Sequence, residues 1–218
     1  MNNLLVVISA PSGTGKTTVC KKLLQELKDF KYSISYTTRR PREGEKEDID
    51  YKFLTKEEFQ NLLKEGIFIE WTKVYGNYYG TSKLQLQEYL TQNNDVLLDL
   101  DGKGAKAIKE IYKENVLLIY LLPPSLEELK KRLLSMRKED EKTIFQRMKE
   151  FKEQLKYLPL FDYFVINKDL KTTISVIKSI IESAKNGRPY KPSNSECVAD
   201  REDYLKRRKF LANLFKDL

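Results

Sequence analysis

The chain has 218 residues, 40% of them hydrophobic, enough to bury one core with small inserted subdomains and too few for two ordinary domains. It contains no histidine, which excludes imidazole as a base, nucleophile partner or metal ligand, and with it Ser-His-Asp and Cys-His catalysis. Lysine plus arginine number 40 against 32 acidic residues, a formal charge of +8, but the excess is spread along helix faces, so polyanionic partners are favoured while nucleic acid is not implied.

Residues 4–9 form a nearly continuous apolar run, the pattern of a strand buried on both faces of a parallel sheet. No signal-peptide pattern precedes it, and no stretch approaches the ~18 consecutive apolar residues of a membrane span. Cys20 and Cys197 are too few for a zinc site or a disulfide framework. A soluble, cytoplasmic protein with reduced thiols and no membrane partner is therefore expected. Further apolar runs at 96–100, 116–122 and 161–166 alternate with helical patterns at 17–28, 103–114, 126–136, 143–158 and 170–185. That alternation predicts an α/β fold with a parallel sheet flanked by helices. The Ser/Thr-x-x-Glu pairs Thr55/Glu58 and Ser125/Glu128 mark two helix starts. Residues 32–81 read differently, as alternating and aromatic segments around one short helix at 56–65, and are expected to be an inserted strand-rich subdomain. Residues 186–199 read as a linker. Beyond them, residues 200–218 carry Leu205, Leu211, Leu214, Phe215 and Leu218 at helical spacings, and an amphipathic helix docking on the protein or its oligomer is expected.

Chemistry enters directly after the first strand, at Ala10-Pro11-Ser12-Gly13-Thr14-Gly15-Lys16-Thr17, followed by Thr18. Between a strand and a helix this is the context of a phosphate-binding P-loop, with Ala10 where the strict pattern has glycine. Gly13 and Gly15 let backbone amides approach phosphate oxygens, Lys16 offers a cation to the β and γ phosphates, and Thr17 can place a hydroxyl on Mg²⁺. A P-loop implies a nucleoside triphosphate without naming the acceptor. Arg39 and Arg42, set in a short segment with Pro41, could clamp a second phosphate or form a basic surface turn; the segment alone does not decide. Asp99 and Asp101 end an apolar strand on one face, where open α/β sheets bind ligands. One of them could orient the acceptor or hydrated Mg²⁺, with Thr17 and Asp99 the candidate metal ligands, while a helix-cap role suits Asp101 better.

Across residues 4–185 these motifs resemble the guanylate kinase family. The resemblance rests on the P-loop, Ser35-x-Thr-Thr-Arg39-x-Pro-Arg42-x-Gly-Glu45, Asp50-Tyr51-x-Phe53, Phe68-Ile-Glu70, Gly76-Asn-Tyr-Tyr79-Gly-Thr81 and Asp99-Leu-Asp101, in that order. It implies a P-loop nucleoside monophosphate kinase with a core at 1–31, 82–124 and 159–185, a GMP-binding insert at 32–81 and a helical lid at 125–158. It further implies transfer of the γ-phosphoryl of MgATP to GMP and dGMP, with Arg39, Arg42, Tyr51 and Tyr79 on the GMP phosphate. Ser35, Glu70, Thr81 and Asp101 would surround the guanine, with Asp99 nearby. A carboxylate suits that base, because guanine offers N1–H and a 2-amino group as donors, and Thr81 or Ser35 can donate to O6. Arg132, Arg137 and Arg147 resemble the family's lid arginines, which would reach ATP and stabilise charge during transfer. Three residues depart from the family pattern: Asp48 and Lys138 stand where glycine is usual, and Gln154 where glutamate is common. Lys16, Arg39, Arg137 and Arg147 are the expected catalytic set. The alternatives are another acceptor nucleotide, or a non-catalytic binding module of the same fold; the intact Lys16, Arg39 and Arg42 weigh against the latter. The expected partners are the small molecules ATP and GMP; the C-terminal helix is expected to dock on the rest of the chain or on a second copy of it.

Overall fold

A computed structural model describes residues 3–137, 147, 149, 152–190 and 198–200. The chain divides into two compact units, one of residues 1–7 and 27–116 and the other of 8–26 and 117–218. The fold is α/β: a sheet ordered β10-β9-β8-β1-β7-β2, five of whose strands are parallel, and a separate four-stranded mixed sheet.

In the first unit, β2 (Phe30–Tyr32) pairs in parallel with β7 (Asp95–Asp99), and the amide of Val96 donates to the carbonyl of Leu4 at the start of β1 (Leu5–Ser9). Between β2 and β7 lies the expected strand-rich insert. Its sheet runs β4 (Lys52–Phe53), β3 (Tyr36–Thr37), β6 (Asn77–Ser82), β5 (Phe68–Val74). The hairpin from β5 to β6 turns on Tyr75 and Gly76, both at positive φ (50° and 77°), the two-residue geometry whose twist matches that of its strands. Helix α2 (Lys56–Lys64) opens on the expected capping box, Thr55 with Glu58, and buries Phe59 against Phe68 with stacked rings 4.5 Å apart. Gly80 makes that packing possible, since a Cβ there would stand 2.8 Å from the Phe68 ring. Asp48, where the resemblance leads to an expectation of glycine, has φ +57°, a left-handed conformation that disfavours most side chains and that aspartate tolerates. Helix α3 (Lys83–Thr91) follows β6 and has no counterpart in the sequence reading, because only Leu86 is buried and the helix shows little periodicity. Helix α4 (Gly102–Tyr112) completes the unit, its amphipathic pattern as expected.

The second unit holds α1 (Lys16–Glu26), β8 (Val116–Leu122), α5 (Leu126–Arg137), β9 (Tyr163–Ile166) and α6 (Leu170–Lys185). Every residue of β8 is buried, which is why it reads as an unbroken apolar run. Helices α1 and α6 pack together, joined at one place by a 3.0 Å ion pair between Lys178 and Glu26. The structure differs from expectation at Val198–Asp200. These residues form β10, antiparallel to β9, where the sequence predicts the end of a linker and the start of a helix. The edge of β9 offers unpaired backbone groups, and Val-Ala-Asp satisfies them. Beyond Asp200 the helix expected over 200–218 lies outside the described residues, as do Cys197, Lys138 and most of the helix expected over 143–158.

Candidate functional site

In the second unit, the loop from Ala10 to Gly15 leaves β1 and enters α1 with two left-handed turns, Gly13 at φ +89° and Gly15 at φ +96°. Both glycines are also spatially required: a Cβ on Gly13 would lie 2.8 Å from Leu133 of α5, and one on Gly15 would lie 2.8 Å from the side-chain nitrogen of Asn167. Pro11 and Thr14 are buried, Ser12 and Lys16 half-buried, and Thr17 and Thr18 exposed on the first turn of α1. The amides of a helix start are thus presented by backbone that no other residue could shape as well.

Asn167, a residue the sequence reading did not single out, braces this loop. Its buried amide nitrogen donates to the carbonyl of Thr14 at 2.6 Å, and its side-chain oxygen accepts from the Thr173 hydroxyl at 3.0 Å. Its main-chain oxygen takes two longer bonds from the Arg132 guanidinium, 3.3 and 3.4 Å, while Nε of Arg132 pairs with Glu128 at 2.9 Å. A signal existed: Asn167 directly follows a strand at the carboxyl edge of the sheet. Arg147 donates to the Ser12 hydroxyl, so one of the expected lid arginines touches the P-loop. Arg137 ends α5, and its side chain lies outside the description.

The first unit gathers the remaining candidates in two groups. Arg39 donates through one terminal nitrogen to Glu45 at 2.9 Å and through the other to the carbonyl of Arg40 at 2.7 Å. Its guanidinium lies 5.3 Å from the Tyr51 ring centroid, and the Tyr51 and Tyr79 rings meet edge to face at 6.2 Å. Burial opposes the charge on Arg39, yet the Glu45 hydrogen bond and charge hold its pKa above the usual arginine value. Burial likewise opposes the charge on Glu45, but bonds from Arg39 and from the amide of Arg42, 2.8 Å away, bring its pKa below the usual carboxylate range. Burial, and next the charge of Asp99, push the Tyr51 phenol up, so it remains a neutral donor. Glu45 stood in the sequence motif without a role; its spacing of six from Arg39 was the available signal. Arg42 is exposed, and Ser35 is buried with its carbonyl accepting from Lys52 at 3.0 Å.

The second group surrounds Glu70. Only 7% of this residue is exposed; one carboxylate oxygen accepts from the Thr81 hydroxyl at 2.5 Å, and the other lies against Gly104, where a Cβ would approach to 2.8 Å. Burial is the main reason its pKa rises to about 7, with the charge of Asp101 adding and the Thr81 bond and Lys103 opposing. Asp101 caps α4 through Gly104 (2.8 Å) and accepts from the Thr72 hydroxyl (2.9 Å), so the helix-cap role weighed in the sequence is realised beside Glu70. Neither Thr72 nor Gly104 was singled out from sequence.

The family model for guanylate kinase matches residues 2–184 of this chain. A guanylate kinase of Clostridioides difficile is 45% identical over 183 residues, 84% of this chain and 89% of the relative. One of Caldanaerobacter subterraneus is 45% identical over 182 residues, covering 84% and 88%. The crystal structure of guanylate kinase from Anaplasma phagocytophilum superposes with a TM-score of 0.70 at 30% identity, over 94% of this chain and 95% of that one.

Proposed function

The chain belongs to the guanylate kinase family of ATP-dependent nucleoside monophosphate kinases, and on that premise we propose how its residues divide the transfer of the γ-phosphoryl of ATP to GMP, giving ADP and GDP. The observation that carries the assignment is Glu70, a nearly buried carboxylate held by Thr81 beside Asp101. Such a group is costly to bury without donors, and guanine supplies two, N1–H and the 2-amino group, where adenine's edge does not. The Thr81 proton is committed to Glu70, which leaves Ser35 as the hydroxyl able to donate to O6, and Asp101 as a further acceptor at the base. Nothing in this set addresses the 2′-hydroxyl, so dGMP is proposed as a second acceptor.

The acceptor phosphate would sit on Arg39, Arg42, Tyr51 and Tyr79. Glu45 fixes the Arg39 guanidinium in advance, so little side-chain entropy is lost on binding, and the neutral tyrosines add bonds without charge. The triphosphate would lie on the amides of residues 10–15 with Lys16 at its β and γ groups, and Arg132, Arg137 and Arg147 nearby. Phosphoryl transfer spreads charge over the moving group, so Lys16 and the arginines act by position and electrostatics, with no covalent intermediate. Mg²⁺ is proposed with ATP: Thr17, exposed on the first turn of α1, would offer it a hydroxyl oxygen, and Asp99, at the end of β7, is the carboxylate proposed for it. Bound there, the cation would neutralise charge on the β and γ phosphates. A cytoplasmic setting is proposed from the buried Cys20 thiol; among the described residues no helix is long and apolar enough to cross a membrane.

A coupled ADP-release assay against GMP, dGMP, AMP, CMP and UMP tests this. GMP and dGMP should be the efficient acceptors, and Glu70→Gln should lower kcat/KM for GMP about ten- to hundredfold by turning a donor toward guanine's donors. Unchanged GMP kinetics in folded Glu70→Gln would remove Glu70 from the base site.

A further inference from the structure

The ladder between β3 and β6 stops at Tyr36, which faces Gly80. The same register carried on would set Ser35 opposite Thr81, whose partner on β5 is Glu70, and Ile34 opposite Ser82. The amide of Thr38 donates to the carbonyl of Tyr78, so by the alternation of antiparallel pairs the amide of Ile34 is due a bond from β6 as well. A side chain supplies it instead: the Ile34 amide donates to Oε1 of Gln85 on α3 at 3.0 Å. We propose that Gln85 is a positioning residue of the acceptor site, its side-chain carbonyl standing in for the ladder bond where β3 and β6 part and so holding Ser35 across from Thr81. This rests on Ser35, Thr81 and Glu70 forming the guanine site proposed above.

Residues 33–35 carry the chain from β2 into the insert, and each is fixed by a different element. The amide of Ser33 donates to the carbonyl of Leu97 in β7, and the carbonyl of Ser35 accepts from the amide of Lys52 in β4, both at 3.0 Å. Ile34 lies between them on the Gln85 bond. Ser35 is buried, and its hydroxyl makes no hydrogen bond among the described residues, so the backbone on either side sets where it points. Gln85 is itself anchored, since its amide donates to the hydroxyl of Ser82, the cap of α3, at 3.3 Å. Ser82-Lys83-Leu84-Gln85 has the form in which the fourth residue ordinarily turns back to the amide of the cap, as Glu58 does to Thr55. Gln85 reaches to Ile34 instead, and because only its oxygen accepts, the donor fixes which way the amide faces. One link therefore runs from the residue before Ser35 to the residue after Thr81, and the two hydroxyls of the site stand just inside its ends.

The test is steady-state kinetics of wild type, Gln85→Glu, Gln85→Met, Ser35→Ala and the double variant of the last two, with amide hydrogen exchange at Ile34 followed in the same proteins. Glutamate keeps an acceptor, whereas methionine keeps the length and loses it. Gln85→Met should raise the GMP KM about three- to tenfold, with kcat and the ATP KM within about twofold of wild type. Gln85→Glu should retain the wild-type GMP KM, and exchange at Ile34 should quicken about tenfold in Gln85→Met and not in Gln85→Glu. Because Gln85 acts through Ser35, adding Gln85→Met to Ser35→Ala should raise the GMP KM by less than about twofold more. The proposal is overturned by a folded Gln85→Met with unchanged GMP KM, by equal effects on both substrates, or by an effect that multiplies that of Ser35→Ala; should Gln85→Met not fold, Gln85→Ala gives the same comparison. Ser35→Ala separates the two levels. If it leaves the GMP KM at the wild-type value, the reading of Ser35 fails and the proposal with it; if it raises the KM while Gln85→Met does not, the proposal alone fails.

Discussion

The two anion sites proposed for the chain are built on opposite principles. The P-loop is a backbone site: Gly13 and Gly15 adopt φ values of +89° and +96° and have no room for a Cβ, so the shape of the loop is written into covalent geometry and packing. The Arg39 group is a side-chain site, in which a guanidinium is held by Glu45, a neighbouring carbonyl and the rings of Tyr51 and Phe53. A backbone site has no protonation state to lose and is damaged by adding atoms, whereas a side-chain site is damaged by removing them. Substitutions can therefore set the two apart.

Lys16→Ala should have the largest effect, lowering kcat about 100- to 1000-fold in the ADP-release assay while calorimetric GMP affinity stays near wild type. Arg39→Ala comes next, raising the GMP KM about 10- to 100-fold with little change for ATP, since a charge-assisted hydrogen bond to the acceptor is lost. Equal effects on both substrates would erase the distinction between the sites. Glycine variants sharpen it. Gly15→Ala forces a Cβ to 2.8 Å from Asn167 at φ +96° and should cost both stability and ATP affinity, about 1–3 kcal/mol. Gly44→Ala, at φ +80° with nothing within 4 Å, should cost about 1 kcal/mol in thermal unfolding and leave ATP affinity unchanged.

Burial of Glu70 gives a smaller effect with a definite sign. Its folded pKa, about 7, exceeds the ordinary 4.5, so between those values the folded chain binds a proton that the unfolded chain does not. Stability from this group is therefore full below about pH 4.5 and lost as pH rises through 7. Glu70→Gln should raise the unliganded Tm at pH 8, by the equivalent of about 1–3 kcal/mol, and leave it nearly unchanged at pH 5.

The same contrast explains what could be read from the sequence. The P-loop was legible because glycines in a fixed order between a strand and a helix carry their geometry with them, and β8 because a doubly buried strand must be apolar throughout. The residues proposed for the acceptor were legible only through several motifs together, and most of their supports were not. Thr72 and Gly104 beside Glu70, like Asn167 beside the P-loop, act through contacts that depend on which segments the fold brings together; Asn167 and Thr14 are 153 positions apart. Helix α3 was missed because its single buried residue, Leu86, leaves no periodic stripe, and β10 because an edge strand of three residues is specified by its partner more than by its own sequence.

The claim on which the rest depends is that donor and acceptor phosphates are held by separate sites of different construction. Calorimetric titration of GMP and of a non-hydrolysable ATP analogue into wild type, Arg39→Ala and Lys16→Ala measures it most directly. The account predicts a crossed result: Arg39→Ala loses GMP affinity and keeps the analogue, whereas Lys16→Ala keeps GMP affinity and weakens for the analogue. Parallel loss of both ligands in each folded variant would contradict it.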